Sequence, residues 1–180
     1  MKAKNISFDK GLTDDEIQQI EVLFQIKFPA DLKNFLQTAL PTSAGFPHWR
    51  AAIHSENENK IIANILRWPL QSILHSVKNS DYWNKHWEDQ PTEYQDKAQQ
   101  ISSLINSAPT LIPVYLHRYI PAIPNQKNLP VFSVYGIDII PYGNNFTHYL
   151  AREFNLELPQ QFYDYLNEVD EIPFWSNFDY

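Results

Sequence analysis

Cysteine is absent from all 180 residues. Its absence excludes disulfides, thiolate-bound metal and a cysteine nucleophile, and it suits a reducing compartment. Glycine is scarce as well: Gly11, Gly45, Gly136 and Gly143 are the only four, and they fall in neither a GxGxxG nor a GxxxxGK array. A loop of backbone amides that cradles phosphate is therefore not available, and there is no GxSxG nucleophile elbow. No apolar run approaches the roughly 20 residues of a membrane span, and the opening MKAKNISFDKG lacks the apolar stretch of about 7 to 15 residues found in export signals. The expectation is a cytoplasmic protein with no membrane segment. The last deficit is of positive charge. Residues 153–180 hold seven acids (Glu153, Glu157, Asp164, Glu168, Asp170, Glu171 and Asp179) and no Lys or Arg, while residues 1–152 are balanced, so the whole net charge of −7 is C-terminal. A nucleic-acid binder needs a basic stripe to neutralise phosphates, so direct nucleic-acid binding is not expected.

What is present is apolar and aromatic: 43% of residues are hydrophobic and 14% aromatic, with five Trp, ten Tyr and eleven Phe. A chain of this length buries about 70% of the surface its unfolded form exposes, which calls for one aromatic-rich core. No repeat, Gly/Ser linker or low-complexity segment divides residues 1–180, which are read as a single domain.

Thr13-Asp14-Asp15-Glu16 predicts a helix start with a capping box, stapled by Leu12 and Ile17, and Ile20 and Phe24 continue at helical spacing. Phe28-Pro29 restarts the chain, and Leu32, Phe35, Leu36, Ala39 and Leu40 give a second helix its apolar stripe until Pro41 stops it. Trp49 is expected as a core anchor. Ile61, Ile62, Ile65 and Leu66 predict a short helix ended at Trp68-Pro69, because the residue before proline is driven out of the α region; Leu70, Ile73, Leu74 and Val77 predict another beginning there. Trp83 and Trp87, four apart, would share a helix face. Thr92 and Gln95 suggest another capping box, before an amphipathic helix that runs to Pro109. Stretches near 111–116, 131–135 and 137–142, rich in Val, Ile, Tyr and Phe, predict an antiparallel sheet with Gly136 at a hairpin turn or bulge, and with the helices of residues 13–40 and 92–108 packed against it. Asn144 or Asn145 caps a helix carrying Phe146, Tyr149, Leu150 and Phe154, and Pro159 opens a last one carrying Phe162, Leu166 and Val169. The fold class is α+β, a small antiparallel sheet packed by several helices.

Chemistry concentrates at His117-Arg118-Tyr119, at a strand end before a proline-rich loop. One assembly is catalytic: His117 as general base, Asp138 to orient it and Arg118 to stabilise an anion. The other is structural, a buried histidine–aspartate pair on neighbouring strands. His48, His54, Glu56 and Glu58 lack the HExxH spacing that puts two imidazoles on one helix face, and no metal or other cofactor is expected. Trp83 and Trp87 are either core or a stacking platform for a small ligand. The C-terminal acids are either a solvated face or, with Asp164, Glu168 and Glu171 spaced by four and three along one helix, a docking surface for a basic partner.

The run from Ile17 to Gln37, IxxIExLFxIKFPADLKNFLQ, is similar to the opening of the SUKH superfamily, the Smi/Knr-type domains, whose helix pair is joined by a short apolar–proline turn. In order, GFPHWR, LRWPLQSIL, YWNKHW, APTLIPVYLHRYIP, PVFSVYGIDIIPYG and HYLAREF resemble a bacterial branch of that group, so the likeness covers about residues 12–154. The chain departs from the pattern at Pro41, where an Asn-Gly turn is usual, and at Glu88, where a motif glycine stands near the second Trp. The resemblance implies an α+β domain that binds protein and is not an enzyme. Bacterial members are linked to immunity, neutralising polymorphic or contact-dependent toxins that are frequently nucleases. Fungal relatives are linked to cell-wall assembly and signalling, which leaves a scaffold or regulatory role as the alternative, with a hydrolase using His117 and Asp138 behind it. Trp49, His117, Arg118, Tyr119 and Asp138 carry over as signature positions of unassigned role. The expected partner is a basic toxin domain.

Overall fold

A computed structural model describes residues 6–159 and 169–178 of the chain. A short strand, β1 (Phe8–Lys10), precedes the capping box, which closes in both directions: Thr13 accepts the Glu16 amide at 3.2 Å and Glu16 accepts the Thr13 amide at 2.8 Å. It opens α1 (Asp14–Phe24) with three acids in the first turn, at the positive end of the helix dipole. Pro29 sits just outside α2 (Ala30–Thr38) as its N-cap rather than at its first helical position. The stripe expected to continue through Ala39 and Leu40 does not: Ala39–Pro41 is a strand, β2, antiparallel to β1. Leu40 is core all the same. α3 (Trp49–His54) begins with the anchor Trp49, 1% exposed, against whose indole Phe24 and Phe28 lie edge-on at 5.9 and 5.2 Å.

The two helices expected on either side of Pro69 are one, α4 (Glu56–Lys78), with Pro69 inside it. A proline within a helix removes the hydrogen bond to the carbonyl four residues back, here that of Ile65. The Tyr119 hydroxyl supplies the missing donor at 3.1 Å. Residues 79–93 are turns and bends rather than helix, so Trp83 and Trp87 meet across a loop, ring centroids 4.9 Å apart and nearly perpendicular. α5 (Tyr94–Ser107) starts from Glu93 with no side-chain cap, so the Thr92–Gln95 box does not form.

The expected antiparallel sheet forms, with one strand more than expected. β3 (Leu111–Tyr115), β4 (Arg118–Pro121), β5 (Val131–Tyr135) and β6 (Asp138–Gly143) follow one another in space as in sequence, every pair antiparallel. Arg118 and Tyr119 are not at a strand end before a loop; they open β4, joined to β3 by the two-residue turn Leu116-His117. Gly136 lies in the corresponding β5–β6 turn with φ +64°, a left-handed conformation that glycine adopts without cost. The helix laid chiefly on the sheet is α4, against β3 and β5, rather than the 13–40 pair or α5, which packs on α4. Asn145 caps α6 (Phe146–Phe154) by accepting the His148 amide, and α6 lies on β6. The helix expected from Pro159 falls mostly outside the described residues. The described end of the tail is core: Ile172, Trp175 and Phe178 are buried. The result is an α+β fold in which no helix of the described residues is long and apolar enough to cross a membrane.

Candidate functional site

Each signature residue has a definite place. Arg118 leaves β4 toward α6, where Nε lies 3.2 Å from Glu153 and one terminal nitrogen donates to Ser133 Oγ at 2.6 Å. Its guanidinium stacks 3.7 Å from the centre of the Tyr142 ring, and Arg152 lies 4.1 Å from the same ring. Arg118 and Glu153 side chains are only 12% and 8% exposed. A largely buried, stacked and doubly hydrogen-bonded arginine joins β4, β5, β6 and α6. Tyr119 is equally committed, buried, with its hydroxyl on Ile65 and its pKa raised by burial.

His117 stands at the β3–β4 turn, half-buried, edge-on to Tyr135 at 6.5 Å. Burial first and the Arg118 charge second lower its pKa, and Glu153 and Asp138 oppose them, so the imidazole is neutral at pH 7. Asp138 is exposed beyond the other turn and makes no hydrogen bond to His117. The pair proposed from sequence is close enough to interact through space and is not an oriented dyad. Trp83 donates its indole N–H to Glu88 at 2.8 Å, and Trp87 is buried among Tyr82, Phe174 and Phe178, an aromatic cluster of the core. His48 lies 3.7 Å from Glu58. Among the described residues no three His, Asp or Glu side chains gather to hold a metal. Asp164 and Glu168 lie outside the described residues; Glu171 is exposed, beside an Asp170 that accepts from Gln126 at 3.0 Å.

The residues sequence reasoning missed are those around His117. A groove of about 640 Å³ opens between α4 and the two hairpin turns, walled on the helix by Asn64, Ile65, Trp68 and Gln71 and on the sheet side by Leu116 and His117 of the β3–β4 turn, Tyr119 of β4 and Tyr135 at the end of β5. Trp68, Leu116 and Tyr135 are large apolar side chains left 43%, 55% and 70% exposed. Leu116 has φ +49°, a left-handed backbone that a leucine adopts only at a cost of about 1 to 3 kcal/mol. The Leu116 amide bonds to the Gly45 carbonyl at 2.8 Å, which holds the turn in place. Trp68 read as a helix terminator in the sequence, and a leucine carries no turn signal, so neither suggested an exposed face. The available signal was the spacing of Asn64, Trp68 and Gln71 along a single helix.

No protein-family model, curated protein or solved structure matches the chain.

Proposed function

We propose that the chain is a non-catalytic protein-binding module that docks its partner on the face formed by Trp68, Leu116 and Tyr135. The observation supporting this is the convergence of three exposed large apolar side chains on one groove, one of them on a strained backbone. Neither folding nor solubility favours a leucine there; contact with another molecule does. Trp and Tyr are also the residues in which binding energy concentrates at interfaces. His117 has no hydrogen bond to Asp138 and so lacks the orienting carboxylate expected of a general base, which weighs toward docking and against turnover. By the family resemblance, the partner is a bacterial polymorphic or contact-dependent toxin domain that the chain neutralises in the cytoplasm. Asp164, Glu168 and Glu171 then serve approach, drawing in a basic toxin surface, while the groove holds it.

The test is co-production with a toxin encoded beside this gene. The wild-type chain should protect the cell, and Trp68→Ala and Tyr135→Ala should each weaken the complex by about tenfold or more. Tyr135 is largely exposed, so Tyr135→Ala should leave the melting temperature unmoved, while Trp68→Ala, which also loses packing, should lower it without unfolding the chain. Turnover of an ester, phosphate or glycoside that disappears with His117→Ala in a folded protein would overturn the proposal.

A further inference from the structure

We infer that the groove between α4 and the two hairpin turns receives a proline-rich segment of the partner in the polyproline II conformation. This rests on the docking reading above and names the chemistry that fits the groove. The lining carries no Asp, Glu, Lys or Arg, so it offers nothing to a charged side chain. What it does offer is hydrogen-bonding side chains, every one of which can donate. The Trp68 indole, the Asn64 and Gln71 amides, the Tyr135 phenol and the neutral His117 ring have no hydrogen bond to any other described residue. A proline-rich chain is their complement: its carbonyls accept, its prolines have no N–H needing an acceptor, and its flat rings pack on aromatic faces.

Length agrees. Asn64, Trp68 and Gln71 span about 10 Å of helix at 1.5 Å per residue, which matches roughly three to four residues of polyproline II at 3.1 Å each. The competing extended mode, addition of a strand to the sheet, is obstructed. The edge strands β3 and β6 carry Pro113 and Pro141, each of which removes a backbone donor. A preformed polyproline helix also loses little conformational entropy on docking, as a groove this short requires.

The test titrates the full-length, nitrogen-15-labelled chain with acetylated, amidated octaproline. The indole resonance of Trp68 is assigned from its loss in Trp68→Phe. A saturable shift of that resonance, absent with a Gly/Ser peptide of equal length, weakened about tenfold or more by Tyr135→Ala and unchanged as salt rises from about 0.1 to 0.5 M, supports the inference. No saturable shift overturns it, as does saturation of the Trp68 resonance by a cello-oligosaccharide and not by octaproline, which would make this a sugar site. If octaproline fails while Trp68→Ala still weakens toxin binding, the polyproline inference falls and the docking reading stands. If octaproline saturates Trp68 while the toxin binds the Trp68 and Tyr135 variants normally, the inference holds and the docking reading falls.

Discussion

Two ionisable contacts set what single residues do here. Glu16 closes the capping box and also accepts from Arg50, which donates to Asp9 and the Gly11 carbonyl as well, so one guanidinium joins α3 to α1 and to β1. The Arg50 hydrogen bond holds the Glu16 carboxyl well below the usual carboxylate range, at about 2, against the opposing cost of burial. A carboxylate with a depressed folded pKa contributes stability that is fully present above its unfolded value and disappears as pH falls through the folded one. Unfolding monitored between pH 7 and 2 should therefore show stability falling as pH drops below about 4.5, and Glu16→Gln should flatten that part of the curve while lowering stability at neutral pH. The capping box was legible from Thr13 and Glu16 because both partners lie within four residues. Arg50, thirty-four residues away, was not, because long-range pairing leaves no local spacing to read.

Tyr119→Phe leaves the Ile65 carbonyl without a donor in a buried place, which should cost about 1 to 3 kcal/mol in denaturant unfolding. The loss should be conditional on Pro69, because an alanine there restores the backbone N–H that normally bonds Ile65. In a double-mutant cycle, Tyr119→Phe should cost less in the Pro69→Ala background, with a coupling of about 1 kcal/mol. Additive losses would contradict the pairing of this hydroxyl with the proline.

At the scale of elements, the reading of sequence failed where tertiary partners overrode local rules. Proline preceded by tryptophan signals a helix boundary, yet α4 runs through Pro69 because a strand over fifty residues away repairs the broken ladder. Ala39 and Leu40 kept helical spacing and became β2 because β1 was there to pair. β4 was hidden because Leu116 takes the left-handed position of a turn that glycine or asparagine ordinarily marks. Where the signal was local the elements came out as expected: α1 from its capping box, the β5–β6 hairpin from Gly136, and α6 from Asn145. The candidate site was half legible for the same reason. His117, Arg118 and Tyr119 stood out by composition, but their groove partners Trp68 and Tyr135 come from other elements and become neighbours only through α4 lying on the sheet.

Considered as a whole, the molecule carries its core past α6 into the described end of the tail. Trp175, 2% exposed, donates its indole N–H to the Pro109 carbonyl at 2.7 Å, and Phe174 stacks on Trp87. Asn84, buried in the loop of residues 79–93, donates to the Asn177 carbonyl at 2.8 Å and so fixes the tail from the other side. Trp175→Ala should accordingly cost about 3 to 5 kcal/mol, as measured by thermal or denaturant unfolding; a surface tail would lose almost nothing. This anchorage lies at the Pro109 end of β3, whereas the Leu116 groove lies at the opposite end of the same strand.

A single kinetic comparison tests the proposed docking face. Association and dissociation rates of the proposed toxin partner would be measured for the wild type, for Trp68→Ala with Tyr135→Ala, and for Asp164→Asn with Glu168→Gln and Glu171→Gln. The groove pair should raise the dissociation rate and weaken the complex by about a hundredfold, and the acid triple should mainly slow association in a salt-dependent way. A groove pair that binds and dissociates like the wild type would contradict the account.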